Sequence, residues 1–428
     1  MSEAQTVAQK VFARASGRDT VQAGDIVWAY PDLVTTPEVA FPAYVQRIRG
    51  AGIKKLEYPK RVVVAIDHEV PVHSAEGAIR NQLTRNLSAE LGVGHFYDGE
   101  GITHPLVLEK GLVEPGMFVA GADTHATTMG GVGAIGIPFG FELTLILATG
   151  RIWIQVPETI AVEITGALAP GLSARDLVLN VIRTVGPELA DYRVLEFVGD
   201  GIAALSVEQR MTLCNQCIDL GAKSALVPAD HVTVDWLEAH GAKTTAPVVS
   251  DAGARYAARI AIDASRLEPL LAVPPSPQHV VPLSAQAGRR IQHAYIGSCA
   301  SGSMAELRSA AALLARRPVA PGVQMLIIPP TRRIYREAMA EGLLDVFLGA
   351  GAQVAPPTCG PCFGGLAQLA AGEVRISTST RNDPGRMGSH EAEILLGSAL
   401  SVAAAAVTGV VTDPREFLAD FGLEARSE

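Results

Sequence analysis

The chain has 428 residues, 48% apolar and 18% charged, which suffices for buried cores and excludes a disordered polymer. At about 150 residues per domain, this length corresponds to two to four domains. Lys and Arg number 35 against 44 Asp and Glu, a net charge of −9 with no basic cluster to offset it, so nucleic acid is not an expected partner, whereas a small anion gripped by a few local arginines is compatible with this balance.

The opening MSEAQTVAQK has no apolar signal core, so a cytoplasmic protein is expected. Short β-branched runs then alternate with amphipathic stretches, the pattern of an α/β fold. Arg61 to Asp67 predicts a strand buried on both faces, as in a covered parallel sheet. A helix over about 74–91 and a short strand over 117–121 follow. Gly131-Val-Gly-Ala-Ile-Gly136 fits G-x-G-x-x-G. It would suggest a nicotinamide-dependent dehydrogenase if it followed a strand directly, but Asp123 to Met129 intervenes, and close packing at a helix start is expected instead.

Thr159 to Thr165 alternates as a strand. Ser173 and Asp176 form a capping box for a helix over 173–184, and Ser206 and Gln209 repeat that signal before a helix reaching about Leu220. Strands are expected at 294–296 and 323–328, with a helix between them starting near Ser303, where Glu306 completes a third box. Ile394 to Val411 carries no charge over 18 residues, the lower end of membrane-spanning length. Its small side chains point to a buried helix rather than a membrane span. Composition shifts at Gln155-Val-Pro157 and across the Pro-rich segment 273–282 divide the chain into three expected α/β domains, 1–157, 158–273 and 283–428.

The five cysteines, Cys214, Cys217, Cys299, Cys359 and Cys362, are an odd set in a chain without a signal peptide, so metal or redox chemistry is a better expectation than disulfides. Cys299 lies in Ile296-Gly-Ser-Cys-Ala-Ser-Gly302, between a strand and a helix. Cys359 and Cys362 lie in Thr358-Cys-Gly-Pro-Cys-Phe-Gly364. Both are loops at strand ends, where α/β folds place ligands. A redox C-x-x-C would leave Cys299 incidental, and zinc would want a fourth ligand. Three thiolates alone suit a [4Fe–4S] cluster with one iron open to substrate. Cys214 and Cys217 fall inside the Ser206 helix and are expected to be buried apolar thiols.

Ile296-Gly-Ser-Cys299 with Glu306-Leu-Arg-Ser-Ala-Ala, Cys359-Gly-Pro-Cys362 and Ser377-Thr-Ser-Thr-Arg-Asn-Asp-Pro-Gly-Arg386 together resemble the aconitase superfamily. The similarity is greatest to the large subunits of its 3-isopropylmalate dehydratase and homoaconitase branch. Ile66-Asp-His68, Gly101-Ile-Thr-His-Pro105, Gly121-Ala-Asp-Thr-His125, Thr212 to Ala222 and Ala403 to Gly409 agree with it, in family order, over almost the whole chain.

The resemblance implies three α/β/α domains around a [4Fe–4S] cluster held by Cys299, Cys359 and Cys362. It also implies reversible dehydration of a small hydroxy di- or tricarboxylic acid, such as the 2- to 3-isopropylmalate isomerisation. In that pattern His68 protonates the leaving hydroxyl and Asp67 orients it. His104, Asp123, Thr124 and His125 match other active-site polar positions. Arg381 and Arg386 match carboxylate-binding arginines, whose planar guanidinium groups can grip a carboxylate through two hydrogen bonds, and Asp383-Pro-Gly between them predicts a turn. Asn215 and Asp219, four apart on one helix face, match a further polar pair in which the acid is usually Glu.

Ala300, Ser301 and Thr380 replace the family's Thr, Asn and Asn, which leaves homoaconitate, methylmalate or dimethylmalate as alternative substrates. The swivelling fourth domain of single-chain aconitases is not expected here, so a separate small subunit is expected to complete the site. A cluster-free RNA-binding or regulatory protein on the same scaffold is the alternative of another class, and the acidic composition argues against it.

Overall fold

The computed structural model describes residues 4–242 and 247–423. The chain packs as two compact units, each discontinuous in sequence: residues 1–164 with 187–262, and 165–186 with 263–428. Both units therefore draw on the span 158–273.

The first unit carries β1 (Ile26–Ala29), β2 (Leu33–Pro37), β3 (Val62–Ile66), β4 (His95–Asp98), β5 (Phe118–Gly121), β6 (Ile135–Pro138) and β7 (Ile152–Gln155). Further along come β8 (Thr159–Thr165), β9 (Val194–Val198), β10 (Ser224–Leu226) and β11 (Ala258–Asp263). A five-stranded sheet has the order β4-β3-β2-β5-β6, and every pairing in it is parallel. All five residues of β3 are buried, as its unbroken Val-Val-Val-Ala-Ile run predicts for a sheet covered on both faces. Helix Ala75–Glu90 follows, with the Ser74 hydroxyl accepting from Gly77 N–H. β10-β9-β8-β11 form a second sheet, and β1 pairs with β7 as an antiparallel ribbon.

The second unit carries β12 (Leu270–Ala272), β13 (Val280–Pro282), β14 (His293–Ile296), β15 (Gln324–Ile327), β16 (Gln353–Val354), β17 (Val374–Ser377) and β18 (Glu393–Leu396). They form one sheet, β13-β12-β18-β17-β14-β15-β16. β18 to β16 pair in parallel, and β12 and β13 add an antiparallel edge. Helices Met304–Leu314 and Ala399–Thr408 pack on this sheet in one core with Ala294, Ile296, Met325, Ile327 and Ile376.

All three predicted capping boxes form, at Ser173/Asp176, Ser206/Gln209 and Ser303/Glu306. Three local expectations need correction. The Ser206 helix is α-helical only from Val207 to Asn215 and then tightens into a 3-10 turn, Gln216–Leu220. Asn215 and Asp219 therefore do not lie one α-turn apart. The uncharged stretch 394–411 is not one helix: β18 takes its first three residues, and only Ala399–Thr408 is helix, with Ala403 to Ala406 wholly buried. No helix among the described residues is long and apolar enough to cross a membrane.

Gly131 to Gly136 ends a 3-10 helix (Thr124–Val132) and enters β6 instead of opening a helix. Gly133 takes a left-handed φ of 80° there. A Cβ on Gly136 would sit 1.9 Å from the Ala126 carbonyl oxygen. These glycines let backbone touch backbone and form no dinucleotide loop.

Candidate active site

In the first unit, four neighbouring parallel strands end at one edge. Glu38 follows β2 and Asp67-His68 follow β3. Thr103 and His104 open the helix after β4, and Asp123, Thr124 and His125 follow β5. In-register parallel pairing brings all of these to the carboxyl edge of the sheet, where such folds carry ligands.

Asp67 Oδ1 accepts from His68 Nδ1 at 2.7 Å, and Asp67 Oδ2 accepts from both the N–H and the hydroxyl of Thr103, each at 2.7 Å. Burial alone would push the Asp67 carboxyl up. The attraction of His68 and the hydrogen bonds from His68 and Thr103 outweigh it and hold the carboxyl below its ordinary value. Burial likewise opposes the imidazolium of His68, but Asp67, Asp123 and Glu38 together raise it well above the usual histidine range. His68 Nε2 faces Asp123 Oδ2 at 3.5 Å.

Asp123 is the hub of the array. Its Oδ1 accepts from His104 Nε2 at 2.8 Å and from His125 N–H at 3.0 Å. The packing around it would raise its carboxyl, but His104 and His68 draw it well below the usual range. The side chain keeps 23% of its surface exposed, the most open carboxylate of the array. His104 Nδ1 is buried with no partner among the described residues.

His125 Nε2 meets Asp219 Oδ2 at 3.2 Å. Asn215 donates to the Thr128 hydroxyl at 2.7 Å and its carbonyl accepts from Thr127, which ties the Val207–Asn215 helix to the 3-10 helix that bears His125. Thr124 is half-buried at the start of that helix.

Sequence reasoning missed Glu38. Wholly buried, it accepts from the N–H groups of Asp67, His68 and Glu69 at 3.1, 3.0 and 2.9 Å, and so shapes the Asp67–Glu69 turn. Burial, then Asp67, raises its carboxyl. Ligand-type atoms of Glu38, Asp67 and His68 lie within 4.8 Å of one another. Their oxygens are already committed to hydrogen bonds, so the group is a polar network rather than a cation cage. An acid directly after a strand end was the only sequence signal for Glu38, and β2 had not been recognised.

In the second unit the same logic gathers the cysteines. Cys299 follows β14, Cys359 and Cys362 follow β16, and Thr378 to Arg386 follow β17, all at the carboxyl ends of parallel strands. One hydroxyl joins two of these loops: Thr378 Oγ1 accepts from Gly297 N–H at 2.9 Å and donates to Gly297 O at 2.8 Å. Ser298 takes a left-handed φ of 86°, held by its hydroxyl on the Thr378 carbonyl at 3.0 Å. Arg175, also missed from sequence, is buried and donates to the carbonyls of Thr378 and Ser379, pinning the loop that leads to Arg381.

Cys299, Cys359 and Cys362 are all buried. The Cys362 thiol is drawn well below its ordinary value by its hydrogen bond with Cys359, and by Arg386 and Thr380 against the cost of burial. Thr380 Oγ1 lies 3.5 Å from its sulfur. Arg386 Nε donates to the Cys362 carbonyl at 2.9 Å, and the predicted turn closes from Arg386 N–H to Asp383 O at 3.0 Å. Arg381 and Arg386 are half-buried. A donor set of three buried cysteines, one biased toward thiolate beside a guanidinium, fits a thiolate-held metal group. Cys214 and Cys217 are fully buried, and burial pushes both thiols up. They are inert core residues, as expected.

The chain has clear relatives. The chain matches the aconitase family (aconitate hydratase) over residues 9–290 and 284–409. It is 41% identical to the 3-isopropylmalate dehydratase large subunit 1 of Methanopyrus kandleri over 96% of this chain and 99% of that protein. It is 40% identical to the probable 3-isopropylmalate dehydratase large subunit of Methanothermobacter thermautotrophicus, over 96% and 98%. A solved aconitase X from Thermococcus kodakaraensis aligns with TM-score 0.49 at 15% identity, over 87% of this chain and 89% of that one. The chain belongs to the aconitase family.

Proposed function

We propose that the protein is the large subunit of an iron–sulfur hydro-lyase that interconverts 2- and 3-isopropylmalate by removing water and adding it back one carbon over. Relatives named as 3-isopropylmalate dehydratase large subunits at about 40% identity over nearly the whole chain support this reading. The observation that carries it is the presence of two site types in one chain: a buried His–Asp proton-transfer array, and three buried cysteines with Arg386 against Cys362.

Cys299, Cys359 and Cys362 would hold a [4Fe–4S] cluster, and when bound it supplies an open iron that polarises the substrate hydroxyl. The remaining chemistry falls to side chains. Hydroxide is a poor leaving group, so His68, kept protonated by Asp67 and Asp123, delivers the proton to it. Asp67 fixes the ring through Nδ1 and leaves Nε2–H as the acid. Asp123 shares its charge among His68, His104 and His125, and Asp219 orients His125. Thr124 and Asn215 contribute polar contacts to substrate, and Arg381 and Arg386 take its carboxylates. A separate small subunit completes the assembly, as the relatives' names as large subunits suggest. We place the protein in the cytoplasm and retain 1–157, 158–273 and 283–428 as its folding domains.

The test is anaerobic purification with a cognate small subunit, iron and sulfide analysis, and assay against isopropylmalate, homoaconitate, methylmalate and dimethylmalate. Turnover of isopropylmalate at the highest kcat/KM is expected. Preference for another acid reassigns the substrate. Bound cluster with no hydro-lyase activity on any of them refutes the reading.

A further inference from the structure

Tyr295 sits at the third position of β14. Strand alternation sends its neighbours Ala294 and Ile296 into the helix-packed core and Tyr295 to the opposite face. There it is 0% exposed, and its hydroxyl has no hydrogen-bond partner among the described residues. The hydroxyl lies under the loop that leads to Cys299, since a Cβ on Gly297 would come within 2.6 Å of its oxygen. Cys362, Cys359 and Cys299 all act on it electrostatically, as does the buried Arg375. A buried phenol without an acceptor is costly in a native core and calls for one the protein atoms do not supply. Sulfur carrying negative charge is such an acceptor.

We infer that the Tyr295 hydroxyl is a hydrogen-bond donor reserved for the sulfur centre held by the three cysteines, a positioning residue that raises the electron affinity of that centre and secures its retention. This rests on the reading of Cys299, Cys359 and Cys362 as cluster ligands. A hydrogen bond to cluster sulfur stabilises the more negative, reduced state, so it shifts the midpoint potential upward. In the cluster-free protein the same hydroxyl is an unsatisfied buried group, so its removal costs nothing there.

Tyr295→Phe removes only the oxygen. The experiment compares wild type and variant in two ways: an EPR-monitored potential titration of the cluster, and thermal unfolding of cluster-free and cluster-loaded protein. At the wild-type midpoint, the variant is expected to show a roughly tenfold lower ratio of reduced to oxidised cluster, equivalent to a downward shift of about 59 mV for one electron. Its cluster-free Tm is expected to stay level or rise, and its cluster-loaded Tm to fall. Equal midpoints, or an equal Tm loss in both forms, would overturn the inference while leaving the proposed activity intact. Failure of the variant to fold even without cluster would make the hydroxyl structural and also overturn it. A wild-type protein that takes up no iron and sulfide would overturn both.

Discussion

Asp67→Asn tests the proton-transfer array most directly. The carboxylate accepts three hydrogen bonds of 2.7 Å, one from His68 and two from Thr103. The amide keeps the volume but has one acceptor oxygen. If that oxygen stays with Thr103, the NH2 faces His68 Nδ1, which must become an acceptor, and the imidazolium loses its main support. A hydrogen bond to a charged group contributes about 1.5–3 kcal/mol, which corresponds to a loss of roughly 10- to 150-fold in a rate that needs protonated His68.

The pH dependence follows from the same pair. The His68 value is raised in the fold. Its contribution to stability is therefore complete below the ordinary histidine value of about 6.5 and is lost as pH rises through the folded value. The variant lowers the folded value, so both this loss and the alkaline limb of activity move to lower pH. NMR titration of the His68 ring, alongside the pH–rate profile of cluster-loaded enzyme, checks it. An unchanged His68 midpoint in folded Asp67→Asn protein, or a slower enzyme with an unmoved alkaline limb, would refute the reasoning.

Further outcomes are expected elsewhere. Burial raises the carboxyl of Asp176 to about 6, so the folded state binds a proton that the unfolded state releases near pH 4. The stability of wild type relative to Asp176→Asn should therefore fall by about 2 kcal/mol between pH 4 and 7 in urea titrations. Cys362→Ala should abolish iron uptake, whereas Cys214→Ala should leave it intact and cost only core packing, as metal analysis and unfolding curves would show. Gly136→Ala drives a methyl into the Ala126 carbonyl and should lower stability by about 1–3 kcal/mol or more. No nicotinamide binding should be lost with it in calorimetry, because none is expected in the parent.

Much of this protein was legible in one dimension. The Val62–Ile66 strand, the three capping boxes and the cysteines in glycine-rich loops announce themselves because strand burial, helix capping and loop geometry are short-range matters of neighbouring residues. Asp67 and His68 were visible for the same reason, as polar residues directly after an apolar strand.

Other features depend on strands far apart in the chain lying side by side. Glu38 serves the Asp67 turn only because β2 pairs with β3, and Thr103 reaches Asp67 only because β4 lies beyond it. Arg175 locks the Thr378 loop across a separation of 203 residues. The 3-10 tightening at Gln216 and the strand inside 394–411 likewise escaped local patterning. Packing partners settled those backbones, and residue type along the chain does not encode which distant neighbour will be there. Sequence alone determined which side chains are proposed to carry the chemistry. Tertiary structure decided what each of them is hydrogen-bonded to, and hence which proton each one holds.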